Sequence, residues 1–288
     1  MENFLKKIKA YLEVIKFSHT IFALPFGLSA IFILEKGFPS FYKLFWITIA
    51  IIAGRTAGMA FNRFFDLPFD KLNPRTKNWS SVTGAIKDYE LLILGVLSSI
   101  VLIFSAYMLN KLAFLLSPVA LFFLILYPLG KRFTNFVHLL LGIVYFLIPI
   151  AVSIALKGNV EPSMVFLGLG MAFWVSGFDI LYALQDIEFD RKYGIHSIPA
   201  KFGVKKSLIF ARFFHFLTFL FIILTGIYAD MGKIYFIGVF ILSTFLLYEH
   251  LLIKENDLSK INKAFFTING YISIFYFIFV IFDVYLKL

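Results

Sequence analysis

The stretch Asn62-Arg63-Phe64-Phe65-Asp66-Leu67-Pro68-Phe69-Asp70 closes an apolar run that begins near residue 43. Positions i, i+4 and i+8 of a helix share one face, so Asn62, Asp66 and Asp70 would present three oxygen donors in a row. Pro68 cannot donate to the carbonyl of Phe64, and the helix is expected to bend or fray between Asp66 and Asp70. A second acidic set, Asp179, Asp186 and Asp190, closes another apolar run. Asp66 and Asp186 are 120 positions apart, and so are Asp70 and Asp190. Seven- and four-residue spacings let the second set share a helical face as well. Two matched acid clusters in so apolar a chain predict one metal–diphosphate site at a membrane surface.

Outward from these motifs the chain stays apolar. Its 288 residues are 60% hydrophobic and only 15% charged, and the mean hydropathy is +0.88. These values exclude an ordinary soluble domain. No period-two alternation persists, which argues against a β-barrel. The pattern predicts an all-α polytopic membrane protein with about nine spans, over 20–35, 43–65, 90–109, 112–128, 137–156, 162–184, 208–229, 233–253 and 264–286. Turn and helix-end signals mark several joints: Lys36-Gly37-Phe38-Pro39, Asn110-Lys111, Gly158-Asn159 and Asp230-Met231-Gly232-Lys233. No polar linker divides the chain, so residues 1–288 read as a single integral-membrane domain. Ahead of the first span, Leu5, Ile8, Leu12 and Ile15 fall on one helical face, with Lys6, Lys9, Glu13 and Lys16 off it. That pattern predicts an interfacial helix over 1–17; a simple extension of the first span is the other reading.

Cysteine is absent, which excludes disulfides, thiolate nucleophiles and zinc–thiolate sites. No small-residue cleavage site follows the first apolar run, so no cleaved signal peptide is expected. The formal net charge of +10 is a matter of topology. Eighteen of the 27 Lys and Arg residues fall at the N-terminus or in the even-numbered loops, six on the other side, and Arg55, Arg63 and Arg212 within spans. By the positive-inside rule, the N-terminus, the even loops and both acidic motifs face the cytoplasm, as expected for an inner or plasma membrane protein. Nucleic-acid binding is not needed to account for the charge.

The residue types suit hard-cation chemistry. Carboxylate and amide oxygens fit Mg²⁺, which takes a few carboxylates together with water and substrate phosphates. Basic residues interleave with the acids: Lys71, Arg75 and Lys77 after the first cluster, Arg191, Lys192 and Lys201 after the second, and Lys131-Arg132 between. Cations opposite a metal are what a bridged diphosphate requires. Arg75, Lys77, Lys131 and Arg132 are the candidate diphosphate ligands.

Asn62-x3-Asp66-x3-Asp70 followed by Asn73-Pro74-Arg75-Thr76-Lys77-Asn78 resembles the first motif of the UbiA superfamily of intramembrane aromatic prenyltransferases. Three further stretches resemble it in order: Arg55-Thr56-Ala57-Gly58-Met59-Ala60-Phe61, Tyr127-Pro128-x2-Lys131-Arg132-x-Thr134, and Asp179-x2-Tyr182-Ala183-x2-Asp186-x3-Asp190 running into Gly194-x2-Ser197-Ile198-Pro199. The resemblance covers about residues 16–203. It implies nine transmembrane helices around a central cavity with a lateral portal, and Mg²⁺-dependent transfer of a chain from polyprenyl diphosphate to an acceptor. By the same resemblance Asn62, Asp66 and Asp70 would hold one Mg²⁺, and Asp186 and Asp190 a second, making the four aspartates the catalytic set. The chain departs from the family at Trp79-Ser80, where an Arg-containing pair is usual, and at Pro68.

Breaking the prenyl C–O bond leaves an allylic cation, which aromatic faces stabilise. Tyr127 and Tyr182 are the candidates for that role, core packing being the alternative for each. Arg55, two turns before Asn62 and inside a span, requires an anion: an aromatic carboxylate, or an acid such as Asp179. The first favours an aromatic acid acceptor of the 4-hydroxybenzoate type in ubiquinone or menaquinone biosynthesis, or a dihydroxynaphthoate. The opening Lys16-Phe17-Ser18-His19-Thr20-Ile21-Phe22-Ala23-Leu24-Pro25-Phe26 resembles the same branch, with His19 either a substrate contact or a helix cap. Haem and lipid-glycerol acceptors share the acidic motifs. An ion- or proton-coupled transporter is the reading from another class; it predicts acids at mid-bilayer, whereas these lie at span ends.

Overall fold

The computed structural model describes residues 2–16 and 20–286. His19 and Lys287 lie outside them. Eleven α-helices follow one another: α1 Glu2–Val14, α2 Thr20–Glu35, α3 Phe41–Asp70, α4 Asp88–Leu109, α5 Lys111–Gly130, α6 Val137–Lys157, α7 Pro162–Ala183, α8 Ile187–Tyr193, α9 Ile198–Tyr228, α10 Lys233–Leu252 and α11 Asn269–Leu286. A 3₁₀ turn, Leu184–Asp186, joins α7 to α8, and a π-helical turn, Lys263–Ile268, leads into α11. Among the described residues, eight stretches are long and apolar enough to cross a membrane. Helix α2 is equally apolar but only 16 residues long. Among the described residues, α2–α7 and α9–α11 thus correspond to the nine expected spans.

These helices close a ring in chain order. Each packs against its sequence neighbour, and α11 returns to α2. Side chains on the outer faces of α4, α5 and α10 are exposed although apolar, for example Leu97, Phe122 and Leu247, as a hydrocarbon solvent requires. Inside, close contact depends on small residues. A Cβ at Gly142 would meet Ser176 Oγ at 2.5 Å and the Ala172 carbonyl at 2.8 Å, so α6 and α7 approach backbone to backbone.

Local signals explain most boundaries. Asn110 is extended (φ −167°) and its side chain accepts from Ala113 N, ending α4 and capping α5 within one residue. The first acidic motif differs from expectation: α3 runs unbroken to Asp70 with Pro68 inside its last turn. Lys71 N still donates to Leu67 O at 3.1 Å, so the turn closes around the missing proline donor. Helix α9 starts ten residues earlier than the hydropathy predicts, because a short helical turn over 198–202 joins the span across Gly203, whose φ of 77° lies where only glycine rests without strain. Helix α1 is separate from α2, with Ala10 and Val14 buried against Ile86 and Leu91 and Leu5, Ile8 and Leu12 exposed.

Candidate active site

The ends of α3, α5 and α7, with the start of α6, surround a cavity of about 230 Å³. Asn62, Asp66, Asp70, Asp179, Asp186 and Asp190 all line it. The two motifs reach it by unlike routes. Asn62, Asp66 and Asp70 descend one face of α3, as their spacing predicts. The second set does not share a continuous helical face: α7 stops at Ala183, Asp186 sits in the 3₁₀ turn, and Asp190 begins anew in α8. The tighter turn brings all three carboxylates to the same cavity despite the break.

Cations from other segments hold the acids. Lys131 Nζ lies 2.6 Å from Asp66 Oδ2. Arg75 forms a two-pronged pair with Asp186, Nη2 to Oδ2 at 2.7 Å and Nε to Oδ1 at 3.0 Å. Its Nη1 donates to the Tyr182 hydroxyl at 3.2 Å, and Asn73 Nδ2 donates to Asp186 Oδ1 at 3.0 Å. Arg63 Nη1 stands 3.6 Å from Asp70 Oδ2. Asp190 Oδ2 accepts from Ser197 Oγ at 3.0 Å, the hydroxyl that also caps α9. Burial is the largest single influence and works against the Lys131 ammonium, but the Asp66 charge and hydrogen bond, with Tyr127 and Asp70, together outweigh it and raise the lysine above its ordinary range. Arg75 is held charged in the same way by Asp186, again against burial.

The deeper wall carries Arg55, Tyr127, Tyr145 and Asp179. Arg55 does not pair with Asp179. Its Nε is buried without a hydrogen-bond partner, and its guanidinium lies 6.0 Å from the Tyr145 ring. Asp179 is taken instead by His138, Nδ1 to Oδ2 at 2.7 Å. Ile198 N donates to His138 Nε2, so Nδ1 carries the proton that Asp179 accepts. Tyr182 stacks on Phe265 of the π-turn, with ring centroids 4.2 Å apart.

Two expected phosphate ligands lie elsewhere. Lys77 is exposed in the α3–α4 loop, and Arg132 is also exposed, its Nη2 donating to Phe65 O at 2.9 Å. Neither lines the cavity. Lys16, Arg63, Trp79 and His138 do, and sequence reasoning gave none of them a role. The position of Arg63, between Asn62 and Asp66, and the departure of Trp79 from the family motif were the signals available.

Among the described residues no three His, Asp or Glu groups stand close enough to hold a metal ion, because the acids face lysine and arginine. The donor set nonetheless fits Mg²⁺. Five hard oxygen-bearing side chains share one cavity, and Asp70 Oδ2 is buried there without a hydrogen-bond donor.

The model of the UbiA prenyltransferase family matches residues 23–272. The chain belongs to the UbiA prenyltransferase family. Curated UbiA relatives include the 4-hydroxybenzoate octaprenyltransferase of Francisella tularensis subsp. novicida (strain U112), 32% identical over 87% of this chain and 88% of that protein. Among solved structures, the apo UbiA homolog from Aeropyrum pernix K1 aligns with a TM-score of 0.83 and 30% identity over 92% of this chain and 98% of the other. The UbiA homolog from Archaeoglobus fulgidus bound to DMAPP and Mg²⁺ shares the fold, with a TM-score of 0.69 and 17% identity over 95% and 98%. This chain is therefore an integral-membrane prenyltransferase, and the transporter reading falls away.

Proposed function

We propose that this enzyme transfers a polyprenyl chain from polyprenyl diphosphate to the ring of an aromatic acid of the 4-hydroxybenzoate type, as a step in quinone biosynthesis. The observation that carries the reading is the shared cavity: both acidic motifs, the cations Lys131 and Arg75, and the buried Arg55 line one space. The octaprenyltransferase name of the relative supports the acceptor class, and the DMAPP and Mg²⁺ in the A. fulgidus homolog support the donor and the metal.

Asn62, Asp66, Asp70, Asp186 and Asp190 would hold Mg²⁺, which supplies Lewis-acid stabilisation of the departing diphosphate. The chain's own groups do the rest. Lys131 and Arg75 stabilise negative charge as the C–O electron pair moves onto the diphosphate oxygen. Tyr182, backed by Phe265, and Tyr127 offer aromatic faces to the allylic carbon. Arg55, whose buried Nε has no hydrogen-bond partner among the described residues, orients the acceptor carboxylate. Asp179, which lines the same cavity as Arg55 and Tyr145 and is held by His138, would orient the phenol. The ring carbon then takes the prenyl group and loses its proton. The apolar remainder of the wall keeps water from the cation. The positive-inside bias supports a cytoplasmic site, and the exposed Leu5, Ile8 and Leu12 of α1 support a helix seated in that interface.

The test is prenyl transfer by the purified protein from a polyprenyl diphosphate, with labelled 4-hydroxybenzoate and a dihydroxynaphthoate offered separately, in Mg²⁺ or in EDTA. The reading expects Mg²⁺-dependent product with 4-hydroxybenzoate. Product with the naphthoate alone would move the enzyme to that acceptor; product with neither acid would leave haem or a lipid glycerol and overturn the aromatic-acid assignment.

A further inference from the structure

Trp79 opens the pair Trp79-Ser80 at which the chain departs from the motif it resembles, and its surroundings are unusual. Three cations face its indole: the Arg63 guanidinium 3.6 Å from the ring centroid, the Lys16 ammonium at 4.9 Å and the Arg75 guanidinium at 5.3 Å. All four residues line the acid-bearing cavity. The cations come from three separate segments: the end of α1, the body of α3 and the α3–α4 loop.

We propose that Trp79 is a binding residue of the diphosphate pocket, its ring face gathering Lys16, Arg63 and Arg75 into one anion-binding patch. The inference rests on the prenyl-transfer reading, whose donor supplies the anion. Three like charges so close together repel one another, most of all where burial thins the water between them. A carboxylate placed among them would hold them, but would cancel the charge a diphosphate needs. The negative face of a neutral ring attracts each cation without neutralising it. Each cation has a carboxylate within 4 Å, but only one of the three pairs is hydrogen-bonded. Arg63 lies 3.6 Å from Asp70 and Lys16 3.9 Å from Glu13, both longer than a hydrogen-bonded pair; only Arg75 is closely matched, by Asp186.

The platform is fixed to the acidic motif. Trp79 N donates to Thr76 O at 2.9 Å, and the Trp79 carbonyl accepts from Val82 N at 2.8 Å and Thr83 N at 2.9 Å. Thr76 Oγ1 in turn donates to the Asp70 carbonyl at 2.6 Å. The next residue, Ser80, donates its N–H to Glu13 Oε2 at 2.9 Å, tying the loop to α1. Lys16 itself sits just past α1 at φ 48°, the left-handed conformation in which helices often end. The indole therefore joins α1, α3 and the loop at the point where the diphosphate would sit.

The test is calorimetric titration of the full-length protein in lipid nanodiscs with inorganic diphosphate and with geranyl diphosphate, in EDTA and at several salt concentrations. Trp79→Leu should weaken binding of both probes about tenfold and flatten the salt dependence, because the patch disperses. Trp79→Phe, which keeps a ring face, should stay within about threefold of the parent. Trp46→Leu, an aromatic of α3 packed against Phe104 away from the cavity, should bind as the parent does. Parental affinity and salt slope in folded Trp79→Leu would overturn the assignment, as would Trp79→Phe being as impaired as Trp79→Leu. Should Trp79→Leu fail to fold, Lys16→Met decides: weakened binding supports the patch, and unchanged binding overturns it. A parent that binds neither probe even with Mg²⁺ in place of EDTA would defeat the prenyl-transfer reading itself, a result distinct from a parent that binds and a Trp79 variant that binds equally.

Discussion

Asp66 and Asp186 each face a cation drawn from another segment, Lys131 and Arg75 respectively. Each pair balances a charge in the cavity wall, and removing one partner leaves the other uncompensated. Lys131→Met should therefore lower kcat by about 100-fold, the scale of losing one preorganised charge at a departing anion, with a smaller change in KM for the prenyl diphosphate. Steady-state kinetics separates the two. Arg55→Gln should act on the other substrate, raising KM for the aromatic acid roughly tenfold while leaving that for prenyl diphosphate unchanged. Equal effects on both substrates would remove Arg55 from the acceptor side. At this scale the acids were legible in the sequence, because their spacing alone puts Asn62, Asp66 and Asp70 on one face. Their partners were not. Nothing local joins His138 to Asp179 or Lys16 to Trp79, and the Lys77 and Arg132 side chains run out of the cavity although their motif neighbours Arg75 and Lys131 run in.

The elements show a similar division. Long apolar runs and the Asn110 cap made the helices readable, whereas the 3₁₀ turn before α8 and the π-turn before α11 were invisible to periodicity. Side chains from distant helices stabilise the second of these. Asn269 accepts from Trp174 Nε1 at 2.7 Å and donates to Glu249 Oε1 at 2.8 Å and to the Ala264 carbonyl at 3.2 Å. All of Trp174, Glu249 and Asn269 are fully buried. The Ala264 bond is a side-chain version of the i→i+5 link that a π-turn needs. Asn269→Leu should thus strand several buried polar groups, each worth about 1–3 kcal/mol, and lower the thermal midpoint by roughly 5 °C or more. Thermal unfolding in detergent measures it; an unchanged midpoint would show that the network contributes little. Because the same turn carries Phe265 against Tyr182, the variant should also lose transfer activity.

For the molecule as a whole, ring closure from α2 round to α11 turns two acid clusters 120 residues apart into one wall. The hydropathy of the sequence foretold the spans, and the sorting of Lys and Arg predicts that the N-terminus and both acidic motifs face the cytoplasm. The absence of cysteine makes that direction easy to check. Single-cysteine variants Lys77→Cys and Lys111→Cys place a label on opposite ends of the helices. A membrane-impermeant maleimide added to intact cells should react at position 111 and spare position 77 until the membrane is opened. The reverse pattern would invert the topology and put the acidic cavity outside.

The most direct measurement is the initial rate of prenyl transfer against Mg²⁺ concentration for the parent, Asp66→Asn and Asp186→Asn. One shared site predicts that each substitution, though 120 residues from the other, lowers the saturated rate by about 100-fold or more and shifts the Mg²⁺ dependence to higher concentration. A near-parental rate in either variant would contradict the account, because the two motifs would then not serve one reaction.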